Sequence, residues 1–378
     1  MNKYYFIYLF FFSQIIYSQA IYKTFPSKKL GTERELKIQL PRNYENSENK
    51  TYPLIIVLDG DYLFEPMAGN VDYYSYWDDI PESIVVGVNQ LRTRDADSFY
   101  DETALPAKDG AKFFEFLGME LLKHLETNYR TSGFVAIAGH DLTANFLNYY
   151  LLKENPLFDA YINLSPDYAP GVPEWLIESL KTSSTPKWFF LATSTNDIKD
   201  LQTSIRQFHQ GLNSIENENL HYFFEDFDGA THYSLVGRAI PLALESIFET
   251  YRPIGIKEYD QIVLESSPYD YLINKYETIQ NNFGMDMPIR FNDFFAVGKA
   301  LEANQNWDEM EKLGDLARKQ YPTSALGIYY QARSYEETGR SKKAMKTYQS
   351  AYGQEEAGFV TVNFMLDKAE KIKQDFGY

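Results

Sequence analysis

The stretch Phe134-Val135-Ala136-Ile137-Ala138-Gly139-His140-Asp141-Leu142-Thr143-Ala144-Asn145 reads as an apolar strand that runs through a tight turn into a helix. In a G-x-S-x-G hinge of this kind the turn lifts the central residue above a sheet, and the next backbone N–H faces an oxyanion as it develops. Here the central residue is Asp141, and the motif's second glycine is replaced by Thr143. A carboxylate has no hydroxyl proton for a histidine base to take, so Asp141 cannot act as a serine would. The chain has no cysteine, which excludes a thiolate nucleophile, a Cys-ligated metal, a disulfide framework and a lipidated cysteine. Among its five histidines, His232 sits in the small-residue loop Gly229-Ala230-Thr231-His232-Tyr233-Ser234, beyond the last strand-like run. His140 adjoins the apex, while His124, His209 and His221 fall on helix or strand positions.

The elements that must carry these residues follow from hydropathy period. Apolar runs at Leu54–Leu58, Ile84–Val88, Phe134–Ala138, Ala160–Leu164, Trp188–Ala192 and His221–Phe224 alternate with helical stretches. In Gly110–Tyr129 the residues Phe113, Phe116, Leu117, Leu121 and Leu125 share one helical face, and 200–212 and 235–250 are similar. Strands alternating with helices imply an α/β fold with a mostly parallel sheet covered on both faces. After Pro253 the pattern is helical only. Residues 290–352 repeat with a period of 34, pairing Gly298 with Ala332, Leu301 with Tyr335, Met310 with Ala344 and Ala317 with Ala351. That period and the small residues where helices would cross resemble tetratricopeptide units.

At the other end, Lys3, the apolar run Tyr4 to Tyr17 and Ser18-Gln19-Ala20 have the three-part grammar of a secretory signal peptide. The expected organisation is a signal peptide over 1–20, an α/β domain over 21–253, a connecting segment over 254–289 and a helical region over 290–378. An exported protein, periplasmic or secreted, is the expectation, and no apolar run is long enough to span a membrane. The 378 residues carry 36 Lys and Arg against 53 Asp and Glu, a net charge of −17 that nucleic-acid phosphates would repel.

Taken together, four segments resemble the α/β-hydrolase esterase family that includes enterochelin esterases, feruloyl esterases and esterase D relatives. They are Tyr52-Pro-Leu-Ile-Ile-Val-Leu-Asp59-Gly60-Asp61, Val86-Gly87-Val88-Asn89 leading to Arg92-Thr93-Arg94-Asp95, Gly110 to Thr131 running into the hinge, and Gly229 to Ser234. The resemblance implies an α/β-hydrolase fold with the nucleophile, acid and histidine in that chain order. It places Asp141 at the nucleophile position, Asp197 at the acid position with Asp200 second, and His232 as the histidine. The oxyanion donors would be the backbone N–H of Leu142 and one at Asp61 or Tyr62. Apart from the resemblance, Arg94 and the adjacent Asp95 would form either an ion pair that shapes the pocket rim or a solvated surface pair.

Because the nucleophile's hydroxyl is missing, three functions remain open. One is a pseudo-esterase that binds a small ester-like ligand in the hydrolase pocket, or a protein partner through the helical tail. Another is a hydrolase with Asp141 as nucleophile, similar to haloalkane dehalogenases and epoxide hydrolases. A third is ester hydrolysis by a rerouted mechanism, with Asp141 acting as a base on water or another residue supplying the hydroxyl, Thr143 and Ser194 being the hydroxyls nearby in sequence. A carboxylate–imidazole metal site of Asp141, Asp197 and His232 is chemically permitted, but no short ligand spacing supports it, and neither metal nor cofactor is expected. The geometric expectation is that the Asp141 carboxylate lies close to His232, with Asp197 on the far side of the imidazole.

Overall fold

A computed structural model of the chain describes residues 20–378, so the expected signal segment lies outside the described residues except for Ala20. Eight strands form one sheet: β1 (Ala20–Ser27), β2 (Thr32–Gln39), β3 (Tyr52–Val57), β4 (Ile84–Val88), β5 (Thr131–His140), β6 (Ala160–Leu164), β7 (Lys187–Asn196) and β8 (Leu220–Thr231), in the order β1-β2-β4-β3-β5-β6-β7-β8. Strands β3 to β8 pair in parallel, whereas β1 and β2 add an antiparallel edge. That edge has no counterpart among the apolar runs of the sequence.

Side chains alternate across the sheet, as a period of two requires. Leu54 and Ile56 of β3 and Ile137 of β5 join one apolar layer, and Ile55, Val57, Ala136 and Ala138 join the other. The helices α1 (Phe64–Tyr76), α2 (Arg94–Asp97), α3 (Asp109–Glu115), α4 (Leu122–Asn128), α5 (Leu142–Leu147), α6 (Val172–Thr182) and α7 (Lys199–Leu212) connect the strands, and α8 (Ser234–Ile247) follows the last of them. Phe113, Phe116, Leu121 and Leu125 close the first layer together with Ile205 and Phe208 of α7. Phe64 and Met67 of α1 and Leu235 to Ile247 of α8 close the second. A π turn at Phe116–Leu121 joins α3 to α4.

Beyond the sheet lie α9 (Ile256–Ile262), α10 (Pro268–Phe283), α11 (Phe291–Ala303), α12 (Trp307–Gln320), α13 (Ala325–Glu337), α14 (Ser341–Gln349) and α15 (Val362–Phe376). Helices α11 and α13 start at Phe291 and Ala325, and α12 and α14 at Trp307 and Ser341, so both pairs keep the 34-residue offset. Helices α12 and α13 cross closely at two glycines: a Cβ on Gly314 would lie 2.9 Å from the Gly327 carbonyl oxygen. The segment expected to connect the two halves does more than that. Ile279 and Phe283 of α10 pack into the second sheet layer, while Leu272 of the same helix belongs to the tail's own core. Across this junction Arg290 pairs with Asp78, which also accepts a 2.7 Å hydrogen bond from the Tyr251 hydroxyl.

Candidate active site

The apex residue is held in a strained turn. Asp141 follows β5 with φ 60° and ψ −119°, a conformation costly for a residue with a Cβ. Gly139 makes the turn possible, because a Cβ there would lie 2.7 to 2.9 Å from backbone atoms of Thr143 and Ala144. Two more non-glycine residues with positive φ end neighbouring strands, Asp59 (φ 51°) after β3 and Ser165 (φ 44°) after β6. All three lie at the carboxyl ends of parallel strands, where open α/β sheets place their ligands.

Asp197 and His232 come together. The His232 Nδ1–H donates to Asp197 Oδ1 at 2.8 Å, and the Asp197 carboxylate also accepts from the Ser165 hydroxyl at 2.7 Å, the Thr193 hydroxyl at 2.9 Å and the Ile198 N–H at 2.8 Å. Burial pushes this carboxyl up, but the hydrogen bonds from His232, Ser165 and Thr193 outweigh it, and it titrates below its usual range. Asp200 lies exposed in the first turn of α7.

Asp141 departs from expectation, for its carboxylate makes no hydrogen bond to His232. Instead Oδ2 accepts from Arg94 Nη1 at 3.2 Å. Arg94 offers this carboxylate a charged N–H donor, whereas the imidazole, donating through Nδ1 to Asp197, offers it none while neutral. Arg94 differs from expectation too, since its partner is not Asp95. It grips Asp59 through Nε at 2.8 Å and Nη2 at 3.2 Å, and Nη2 donates to the His140 carbonyl at 2.8 Å. Burial opposes the guanidinium charge, but Asp59 overrides it and raises the pKa of Arg94 further.

Asp59, 2% exposed, organises this side of the site. Besides Arg94, its Oδ2 accepts from the Thr143 hydroxyl at 2.7 Å and from the Tyr62 hydroxyl at 3.0 Å. Thr143 Oγ1 in turn accepts from the His140 N–H at 3.0 Å, so the side chain that replaces the motif glycine is built into the network. The single Tyr62 hydroxyl proton is shared between Asp59 and His140 Nδ1, also at 3.0 Å, and the His140 Nε2–H donates to the His232 carbonyl at 3.1 Å. Burial first, then the neighbouring His232, lowers the His140 pKa to about 4, which keeps it neutral near pH 7.

One expected oxyanion donor is spent: the Tyr62 N–H bonds the Asp59 carbonyl at 3.0 Å. The N–H groups of Leu142 and Asp61 have no hydrogen-bond partner among the described residues. Neither rerouted hydroxyl bonds His232: Thr143 is engaged on Asp59, and Ser194 Oγ is fully buried without a hydrogen-bond partner among the described residues. No three His, Asp or Glu side chains among the described residues lie close enough to share a metal ion. A polar cavity of about 540 Å³ abuts the site at Asp61, lined by 32–35 and 89–93.

Sequence reasoning missed Ser165 and Asp167. Ser165 Oγ lies 3.1 Å from His232 Nδ1, and the Asp167 N–H donates to the Asp141 carbonyl at 3.2 Å. Their position just past the run Ala160–Leu164, at a carboxyl strand end, was the available signal.

A family model described as "Putative esterase" matches residues 27–360. Among solved structures, an uncharacterised protein from Capnocytophaga ochracea DSM 7271 matches with a TM-score of 0.86 and 29% identity over 94% of this chain and 100% of that one. An IroE-like serine hydrolase from Shewanella oneidensis matches with a TM-score of 0.61 and 21% identity over 79% of this chain and 99% of that one. A siderophore hydrolase, EstA from Aspergillus nidulans, matches at 0.52 and 13% over 66% and 100%. The latter two share the fold. No curated protein matches the sequence.

Proposed function

We propose that this chain, which belongs to the esterase family of α/β-hydrolases, is a pseudo-esterase that has exchanged serine chemistry for ligand binding at the same strand ends. The observation that carries this reading is the Asp141 carboxylate held by Arg94 at the apex, where a hydroxyl would have to stand beside His232. The intact Asp197–His232 pair then has no nucleophile to activate. The test is hydrolysis of short p-nitrophenyl esters: wild type is expected to run at the rate of a blank, and robust turnover that survives Asp141→Asn would remove the proposal.

A second reading, Asp141 as nucleophile, draws support from His232 Nε2 and the Leu142 N–H, which have no hydrogen-bond partner among the described residues. It requires activity on haloalkanes or epoxides that Asp141→Asn abolishes. Against it, the guanidinium of Arg94 withdraws electron density from the oxygen it binds.

Export belongs to the proposal as well. It rests on Lys3 and the apolar run that follows it, and among the described residues no helix is long and apolar enough to cross a membrane. Ala20 already pairs with Gln39 in β1, so a mature chain beginning at Gln19 retains the whole edge strand and one beginning at Ile21 loses only its first residue. A native N-terminus at Met1 would contradict export by this route. The helical tail, with its resemblance to tetratricopeptide units, is the candidate surface for a protein partner.

A further inference from the structure

The two edges of the sheet are built differently. Strand β1, at one edge, is mostly exposed and carries Lys23 and Pro26, residues that blunt an edge against further pairing. Strand β8, at the other, is longer, 12 residues against 8, and its run Leu220-His221-Tyr222-Phe223-Phe224 holds neither lysine nor proline. Among the described residues no strand and no isolated bridge pairs with its outer side. The Lys187 N–H bonds the Asn219 carbonyl at 2.8 Å, which fixes the phase of the β7–β8 ladder. Backbone groups alternate in direction along a strand, so those of His221, Phe223 and Glu225 face β7 while those of Tyr222, Phe224 and Asp226 face outward. The outward groups have no hydrogen-bond partner among the described residues.

The side chains of this strand say what fits the edge. The ladder to β7 is regular from Leu220 to Phe227 and shifts beyond Ser194, so Phe223 lies near the middle of the regular stretch. His221 and Glu225 flank it on the same face. Both are half-buried, and neither side chain has a hydrogen-bond partner among the described residues, although the His221 ring stacks on Trp188 at 4.6 Å. Asp226, by contrast, is already held by Arg206 at 2.8 Å. An antiparallel second copy centred on Phe223 sets the outward groups of Tyr222 against those of Phe224, and His221 against Glu225, each pair occurring twice. Neighbouring registers fail: centring on Tyr222 opposes Glu218 to Asp226, centring on Phe224 opposes His221 to Phe227, and centring on Glu225 opposes two carboxylates.

We propose that β8 is the interface of a homodimer, in which two copies of this chain pair antiparallel along 220–226 about a two-fold axis at Phe223 and join their sheets into one. The partner is a second copy because the match of His221 to Glu225 is a property of this strand against itself, as an isologous interface requires. Phe223 meets its own copy at a non-hydrogen-bonded position, where cross-strand side chains stand closest, and an imidazole N–H of His221 donates to the facing carboxylate on either side. The outward N–H and C=O groups of Tyr222 and Phe224 are satisfied by the same step. Because the paired strands run in opposite directions, the carboxyl ends of the two parallel sheets point apart, and both Asp141 sites stay open. The dimer is independent of what the site does chemically.

The experiment joins sedimentation velocity of the mature chain to cysteine crosslinking, which has no background because the chain has no cysteine of its own. Wild type is expected to sediment as a dimer at about 100 μM. Phe223→Cys sets two thiols across the axis with Cα atoms about 4.5 Å apart, within disulfide reach. On mild oxidation it is expected to crosslink at least about tenfold faster than Leu264→Cys, at an exposed position outside the sheet. His221→Glu opposes two carboxylates and is expected to weaken the dimer about tenfold, and adding Glu225→Lys to restore it. Within one chain these positions lie about 13 Å apart, so the rescue reports the second copy. A wild-type monomer at that concentration, Phe223→Cys crosslinking no faster than Leu264→Cys, or a folded His221→Glu chain that Glu225→Lys does not rescue overturns the proposal. The cysteine comparison decides by itself if His221→Glu, deprived of the stack on Trp188, does not fold.

Discussion

Replacing Asp141 with serine restores one hydroxyl to a site whose other parts stand in place, so the size of the gain can be worked from the geometry. Losing the serine of a complete triad costs about 10⁶ in kcat. Serine at 141 would inherit the strained apex, the His232–Asp197 bond of 2.8 Å and the unpartnered Leu142 N–H. The Tyr62 N–H is spent on the Asp59 carbonyl, so a second donor would have to be the Asp61 N–H. An oxyanion donor out of place costs about 10²–10³, so Asp141→Ser is expected to exceed wild type by at least about 10³–10⁴. Folding should survive, because the lost Arg94 contact joins groups 24% and 22% exposed and is worth at most about 1 kcal/mol. Thr143→Gly added to it is expected to bring no further rate and to lower stability by about 1–3 kcal/mol, since it strips one donor from Asp59 and an acceptor from the His140 N–H. The assay is kcat/KM on p-nitrophenyl acetate and butyrate, with Asp141→Ser/His232→Ala as the control that returns to the wild-type level. A folded Asp141→Ser chain no faster than wild type would refute the claim that only the hydroxyl is missing.

Other expectations follow from the same contacts. In the Asp141→Ser background, Asp197→Asn should remove nearly all of the recovered rate, because the imidazole loses the acceptor that fixes its tautomer; a loss below tenfold would exclude Asp197 from that role. Arg94→Ala strands the buried Asp59 carboxylate and should cost about 3–5 kcal/mol in thermal or urea unfolding, much of it recovered in the double change with Asp59→Ala; a cost under 1 kcal/mol would contradict the network. His140, with its pKa lowered to about 4, is neutral in the folded chain where the unfolded chain is already protonated. Its contribution is therefore complete above about pH 6.5 and falls by about 3 kcal/mol as the pH drops toward 4. The melting temperature of wild type relative to His140→Asn should decline across that window, and a constant difference would rule the assignment out.

How much of this was readable in the chain depended on whether burial was written in apolar residues. The parallel strands were legible, with Ile84–Val88 and Ala160–Leu164 at their observed bounds, because both faces of those strands are covered and their runs are continuously apolar. Strand β2 was not, since Thr32-Glu33-Arg34-Glu35-Leu36-Lys37-Ile38-Gln39 looks polar. Arg34 and Lys37 are nonetheless buried, one paired with Asp97 and the other with Glu65, so charge compensation hides a strand from a hydropathy reading. In the site, chain order located Asp197 and His232, whose roles depend on which strand each follows. The partner of Arg94 could not be read that way. Its choice of Asp59 and Asp141 over the adjacent Asp95 arises where the loops after β3 and β5 converge, and no spacing in the sequence records that convergence.

The two substitutions in the hinge make sense as one change. A carboxylate at 141 alone would add a negative charge next to Asp59 and Asp167, with Arg94 the cation within reach. Arg94 can serve two carboxylates if the buried one has other donors, and the Thr143 hydroxyl supplies one at 2.7 Å while Tyr62 supplies another at 3.0 Å. Glycine at 143 could supply nothing of the kind. Thr143 thus lets Asp59 share its guanidinium, and the shared guanidinium turns Asp141 away from His232. Strain of about 1–3 kcal/mol at each of Asp59, Asp141 and Ser165 persists because hydrogen bonds fix all three. A hinge that had merely decayed would have no reason to keep such a network, and the paired substitutions therefore fit the proposed binding role better than decay does.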